Sequence, residues 1–311
     1  MVMTVASVAL PVHEKLFIQK NRILPPVLSE SAKRVCIVTG THGDELEGQY
    51  VCFELGRRLQ NEHEHLNGIV DIYPALNPLG IDSISRGIPM FDLDMNRIFP
   101  GSEDGTSAEF LAHSIMQDLV GADMCIDIHA SNIFLREIPQ VRVNETSAEK
   151  LLPYAKLLNT DFVWVHEAET VLESTLAYSL NAAGTPALVV EMGTGMRITK
   201  AYGDQLLDGI FALLAKLDVW KGNVCPPKEP VISTDGEVMQ VSSDCCGIFT
   251  PCARHTAHVQ KGEQIGTIFD PLAGEIVAEL SSPCDGLLFT LRDYPVVYDG
   301  SLIARILGGA V

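Results

Sequence analysis

The chain has 311 residues, enough for one large domain or two smaller ones. Its hydrophobic fraction of 47% supplies a sizeable core, and a formal net charge of -18 argues against nucleic acid or an anionic membrane surface as partner, since both demand basic patches. No run is apolar for long enough to make a transmembrane helix, and residues 1–11 lack the basic start of a signal peptide. Eight scattered cysteines include no CxxC pair, so reduced thiols in a cytoplasmic protein are expected.

In chain order, residues 1–31 read as an extended lead-in closed by Pro25-Pro26. The apolar run 35–38 predicts a buried strand. It leads into Gly40-Thr41-His42-Gly43-Asp44-Glu45, a tight turn, and then into a helix over 46–60 with Val51, Leu55 and Leu59 at helical spacing. A strand is expected at 68–73. Residues 76–106 are rich in Pro, Gly, Asn and Asp and show little periodicity; segments of this length inside a compact domain are usually functional. A helix over 107–119 follows, with Thr106 or Ser107 as N-cap. Strands at 124–128, 162–165 and 186–190 then alternate with helices at 145–158, 174–183 and 202–217. The alternation predicts an α/β fold whose mostly parallel sheet is covered on both faces. Composition shifts at 221–230, a linker signal, and the short apolar runs beyond it predict a small all-β module. The expected division is an α/β domain at 1–222, which carries the chemistry, and a β-domain at 231–311.

Strand, turn, helix puts His42 and Glu45 at the carboxyl end of a strand, where open α/β sheets bind ligands. His129 ends a second apolar strand. Two imidazoles and a carboxylate make a three-ligand metal site with room for water, the pattern of a catalytic zinc. Each residue taken singly could be a solvated strand end; three at one sheet edge argue for the metal. Asp127, two before His129, faces the same side of its strand. It either accepts the His129 ring N–H and orients it, or is a structural carboxylate. Glu191, at the end of the apolar run 187–190 and beside Gly193-Thr194-Gly195, suits proton transfer if partial burial raises its pKa; a salt-bridged or capping Glu is the alternative. Arg86 and Arg97 both lie in the long 76–106 segment. There an Arg can stabilise an oxyanion, clamp a carboxylate, or simply sit on the surface. Arg136 and Arg142 are weaker candidates. These residues point to a metal-dependent amide hydrolase.

Gly40-Thr41-His42-Gly43-Asp44-Glu45, Asp94-Met95-Asn96-Arg97-Ile98-Phe99-Pro100-Gly101, Asp127-Ile128-His129 and Glu191-Met192-Gly193 fall in that order. Together they resemble the succinylglutamate desuccinylase/aspartoacylase family of the zinc carboxypeptidase clan. The resemblance implies a three-layer α/β/α zinc-carboxypeptidase-like domain followed by a small barrel-sandwich-like β-domain. It implies one zinc ion per chain held by His42, Glu45 and His129. Glu191 would be general base and then acid, Arg86 would polarise the carbonyl, and Asn96 with Arg97 would hold the substrate's carboxylate. Val259-Gln260-Lys261-Gly262-Glu263 and Ser282-Pro283-Cys284-Asp285-Gly286 resemble biotinyl/lipoyl modules. The turn near Glu279-Leu280 lacks the lysine that such carriers modify, so a structural or pocket-lining role is implied.

The expected reaction is hydrolysis of the amide bond in a small, anionic N-acyl amino acid. One rival is a zinc carboxypeptidase acting on peptides; another, of a different class, is a non-catalytic metal- or ligand-binding protein. The oligomeric state stays open, a homo-oligomer included.

Overall fold

The computed structural model describes residues 1–91, 93–167 and 173–308; residue 92 of the long segment and residues 309–311 of the expected β-domain lie outside the described residues. The chain opens with an antiparallel hairpin, β1 (Val2–Ala9) and β2 (Lys15–Ile23), where an extended lead-in is expected. There follow β3 (Arg34–Thr39), α1 (Glu47–Asn61), β4 (Ile69–Tyr73), α2 (Pro78–Ser83), α3 (Ser107–Leu119), β5 (Met124–Ala130), β6 (Leu135–Asn144), α4 (Glu145–Ala155), β7 (Phe162–His166), α5 (Leu176–Ala182), β8 (Ala187–Gly193) and α6 (Lys200–Lys216). After residue 230 the described residues form only strands and one 3-10 turn. The strands are β9 (Val231–Thr234), β10 (Val238–Ser242), β11 (Gly247–Pro251), β12 (His258–Val259), β13 (Gln264–Asp270), β14 (Glu275–Ser281), β15 (Gly286–Arg292), β16 (Val296–Val297) and β17 (Leu302–Gly308).

One sheet runs in the order β1-β2-β4-β3-β5-β8-β6-β15-β17-β10, with β7, β9 and β12 paired off this path. Its centre, β4-β3-β5-β8, is parallel. The sheet as a whole is mixed, which corrects the mostly parallel sheet expected from sequence. β2 meets β4, β6 meets β8 and β15 meets β6 in antiparallel fashion. The connection from β5 to β6, residues 131–134, is too short for a crossover helix, so the chain must reverse. β6 has no counterpart among the expected elements. Pro139 sits inside it, where the pairing with β8 loses register between Glu137 and Gln140; a proline in a strand is tolerated at such an irregularity. The last strands are hydrogen-bonded into the main sheet, β15 to β6 and β9 to β7. A second sheet, β14-β13-β11-β16, stands beside them.

Two cores flank the central strands. Val35 and Ile37 pack with residues of α1, α4 and α6, whereas Cys36 and Val38 pack with residues of α3 and α5. All four are fully buried, which is why the run reads as continuously apolar. Helices therefore cover both faces of the parallel centre, in three layers. Thr106 is the N-cap of α3, and Glu109 returns the bond by accepting from the Thr106 backbone N–H at 2.8 Å.

The segment 76–106 is short of regular structure but tightly fixed. Ile88, Met95 and Phe99 are buried in the second core. Asn77 caps α2 by accepting from the Gly80 N–H at 2.9 Å and donates to the Gly87 carbonyl at 3.0 Å. Phe99 N–H donates to the Ser174 carbonyl at 3.2 Å. These anchors hold Arg86, Asn96 and Arg97 against the sheet edge.

A charged cluster ties the hairpin to the sheet. Asp71 on β4 is fully buried and takes a two-pronged hydrogen bond from Arg22, at 2.7 and 2.6 Å, and one from Lys20 at 3.2 Å. Burial alone would raise the Asp71 carboxyl; Arg22 and Lys20 outweigh it and hold it below its ordinary value. Its contribution to stability is therefore full above the unfolded-state pKa and is lost only as pH falls through the lower folded-state value. Asp71→Asn leaves Lys20 and Arg22 partly uncompensated and is expected to destabilise the fold by about 3 kcal/mol, read as a lowered urea midpoint at pH 7. An unchanged midpoint would mean that Asp118, 2.6 Å from Lys20, suffices by itself.

Candidate active site

The carboxyl ends of β3, β5 and β8 lie side by side, and the proposed chemistry gathers there. The chain leaves β3 through Gly40, whose φ of +69° is a backbone state that other residues adopt only with strain. At Gly43 any Cβ would fall 1.9 Å from the Gly80 carbonyl carbon, so only glycine lets the turn press against α2. These two glycines aim His42 and Glu45 over the sheet edge. His129, on β5, is directly opposite Glu191, on β8, in the parallel pairing. Glu191 lies inside β8, which continues to Gly193 rather than ending at position 190.

Ligand-capable atoms of His42, Glu45 and His129 all lie within 4.8 Å of one another, and all three residues are buried. Glu45 Oε1 is 2.7 Å from His42 Nδ1, and Glu45 Oε2 is 3.0 Å from His129 Nδ1. The two rings stand 5.1 Å apart, centroid to centroid. His42 Nδ1 is buried but has no aligned hydrogen-bond partner despite that close carboxylate. A ring nitrogen and a carboxylate oxygen facing each other without a shared, aligned proton are well placed to share a cation, and two imidazoles with a carboxylate suit a transition metal. The residues present fit a metal ion.

The outer ring nitrogens meet acids. His129 Nε2 is 3.1 Å from Asp127 Oδ2, and Asp127 is fully buried. His42 Nε2 is 3.0 Å from Asp94 Oδ1, an oxygen that also accepts from the Asn96 N–H at 2.9 Å. His42 thus has a hydrogen-bonded acid behind it, the arrangement that fixes ring orientation and strengthens a metal ligand, whereas Asp127 lies within ion-pair reach of His129 but neither of its buried oxygens has an aligned hydrogen-bond partner. Burial works against charge on both rings, but Asp94 with Glu45 raises His42, and Asp127 with Glu45 raises His129 well above the usual imidazole value. Asp94 belongs to a quoted motif, yet sequence reasoning gave it no role. Its partner is 52 residues away, and the usable signal was the rule that a ligating histidine needs an acceptor on its other nitrogen.

Arg86 reaches the cluster from the long loop. Its Nη1 donates to Glu45 Oε1 at 3.0 Å and its Nε to Asp94 Oδ2 at 3.3 Å. Asn96 is buried, and its Oδ1 accepts from the Leu176 N–H at 2.9 Å, which fixes the amide's orientation and leaves the NH2 as donor. Arg97 is exposed; its Nη1 donates to the Asn96 carbonyl at 2.8 Å, and it has no carboxylate partner among the described residues. Burial pushes the Glu191 carboxyl up to about 7, against the pull of Arg142 and His129. Its Oε1 is 3.5 Å from Arg142 Nη1.

The eight residues given a role from the sequence line one cavity of about 910 Å³, whereas Arg136, a weaker candidate, is not among its lining residues. Glu137, Arg142 and Arg305 line it as well. Arg142 was only a weaker candidate, and the other two carried no local signal. Among the described residues no helix is long and apolar enough to cross a membrane.

A family model described as the succinylglutamate desuccinylase/aspartoacylase catalytic domain matches residues 31–217, more than half of the chain. An N-alpha-acetyl-L-2,4-diaminobutyric acid deacetylase of Halomonas elongata is 27% identical over 275 residues, which covers 86% of this chain and 80% of the relative. The product-bound ectoine utilization protein EutE (DoeB) of Ruegeria pomeroyi superposes with a TM-score of 0.82 at 22% identity, covering 97% of this chain and 92% of that one. A succinylglutamate desuccinylase/aspartoacylase structure from Rhodobacter sphaeroides gives the same TM-score and identity and covers 100% and 96% of the two chains. At that identity the two structures speak for the fold alone. The motifs, the extent of the family match and the shared architecture agree, and the chain belongs to the succinylglutamate desuccinylase/aspartoacylase family.

Proposed function

We propose that this chain is a zinc-dependent hydrolase that cleaves the amide bond of a small N-acyl amino acid. The observation that carries the reading is the His42–Glu45–His129 cluster facing Glu191 inside one cavity. His42, Glu45 and His129 would hold one zinc ion. Bound there, zinc supplies Lewis acidity, which acidifies water and polarises a carbonyl. Asp94 and Asp127 keep the two imidazoles in place.

Glu191 takes one proton from the attacking water as its oxygen bonds to the acyl carbon. It then hands that proton to the amide nitrogen as the C–N bond breaks, so a carboxylic acid and an amine form, and the acid's remaining proton passes to the amine to leave a carboxylate and an ammonium ion. A carboxyl pushed up to about 7 can serve in both directions at neutral pH. Arg86, beside the cluster, stabilises the negative oxygen of the tetrahedral intermediate. Arg97, with the Asn96 NH2, holds the substrate's carboxylate and converts binding into orientation. Residues 1–222 would form the catalytic unit. Residues 231–308 would form a barrel-sandwich-like wall of the pocket, a role supported by Arg305 reaching the cavity. Eight unpaired thiols, three of them buried, support the cytoplasm as its compartment.

The test offers zinc-loaded protein a panel of N-acetyl and N-succinyl amino acids, acetylated diaminobutyrate among them, beside peptides with free C-termini. Release of free amine from the acyl amino acids is the expected result. Turnover of the peptides alone would make the chain a carboxypeptidase. Turnover of neither would leave a binding protein.

A further inference from the structure

Behind Glu191 lies a second set of charges that the proposed reaction does not use. Glu137 on β6 is 2% exposed, and three side chains converge on it. Gln140 Nε2 donates to its Oε2 at 2.5 Å, Arg142 Nη2 donates to the same oxygen at 3.0 Å, and Arg305 Nη1 on β17 donates to Oε1 at 2.8 Å. In a regular strand, positions 137 and 140 would face opposite sides. The lost register between them turns Glu137, Gln140 and Arg142 toward one another. Trp164 on β7 flanks both guanidinium groups, with their central carbons 5.5 and 5.6 Å from its ring centroid. Arg142 is thus held on one edge by Glu137 and beside an aromatic ring, and its other nitrogen, Nη1, faces Glu191 Oε1 at 3.5 Å.

We infer that Arg142, fixed by Glu137 and anchored through it to Arg305 of the C-terminal strand, positions the Glu191 carboxylate for proton transfer. The inference rests on Glu191 being the base. A carboxylate on a flexible two-carbon stem can rotate away from the attacking water; a guanidinium tied to Glu137 and packed beside Trp164 limits that rotation. The arrangement also gives the C-terminal strands a part in turnover, since Arg305 lies 168 residues from Glu137 and closes the charge network. Arg142 is a positioning residue here, because it acts on the substrate only through Glu191.

The experiment measures kcat, KM, zinc content and thermal midpoint for Arg142→Met, Arg142→Lys, Glu137→Gln and Arg305→Met, and repeats Arg142→Met on a Glu191→Gln background. Losing the charged contact that orients the base is expected to lower kcat about 10- to 100-fold in Arg142→Met, with KM and zinc content unchanged. Arg142→Lys should recover part of the rate, and Arg305→Met should show a smaller fall in kcat at constant KM. On the Glu191→Gln background Arg142→Met should have no further effect, as expected for two groups acting through one step. A raised KM with kcat kept would make Arg142 a substrate ligand and overturn the inference; so would a full additional loss on the Glu191→Gln background. If Glu191→Gln by itself leaves kcat intact, the assignment of the base has failed, which that single variant reveals independently. Should Arg142→Met not fold, Glu137→Gln decides: a kcat unchanged from the parent overturns the inference, and a fall at constant KM supports it.

Discussion

Glu191→Gln is expected to lower kcat about a thousandfold while KM and zinc content stay near those of the parent protein. Glutamine has the same shape and can still meet Arg142, but it cannot take a proton from water. The position explains the size of the effect. Glu191 stands across from His129 in adjacent parallel strands, so its carboxylate is delivered to the cluster by the sheet rather than by a loop. Burial, outweighing Arg142 and His129, pushes it up to about 7, near the operating pH of an efficient acid–base group. Steady-state kinetics with the best substrate of the panel, beside metal analysis, decide the matter. A variant that keeps a tenth or more of the parental kcat would remove Glu191 from the chemistry.

The second large effect belongs to His42. His42→Ala is expected to strip the protein of zinc on dialysis and to abolish activity with it, because two of three ligands cannot close the site. Asp94→Asn should give a graded version, about 10- to 100-fold weaker zinc binding with the ligands intact. Zinc affinity measured by competition with a chromophoric chelator reads both without recourse to turnover. Full zinc retention in His42→Ala would mean that the cation sits elsewhere. An Asp94→Asn variant indistinguishable from the parent would mean that the 3.0 Å contact with His42 does not orient the ring.

How much of this was legible beforehand depends on the range of the signal. The buried run at 35–38, the helix marked by Val51, Leu55 and Leu59, and the Thr106 cap all come from patterns within a dozen residues, and each has its counterpart in β3, α1 and α3. β6 was missed because Pro139 and alternating charges hide a strand that is stabilised by its neighbours rather than by its own composition. The mixed sheet was missed for a related reason. Strands alternating with helices say that crossovers exist, but not which edge a hairpin joins or that β15 will pair with β6.

Within the site the same division holds. His42, Glu45, His129 and Glu191 stood out because each follows or ends an apolar run, and strand ends on one side of a parallel sheet necessarily fall together. Chain order and local periodicity were sufficient to bring those four to one edge. The partners that hold them were not readable in this way: Asp94 behind His42, Glu137 behind Arg142, Arg305 behind Glu137. Their contacts join segments 52, 5 and 168 residues apart, and even the nearest pair meets only because the strand loses register between them. Periodicity encodes which face of an element a side chain occupies. Which distant charge it meets there depends on how the elements pack, and a buried charge without that partner could not be held at all.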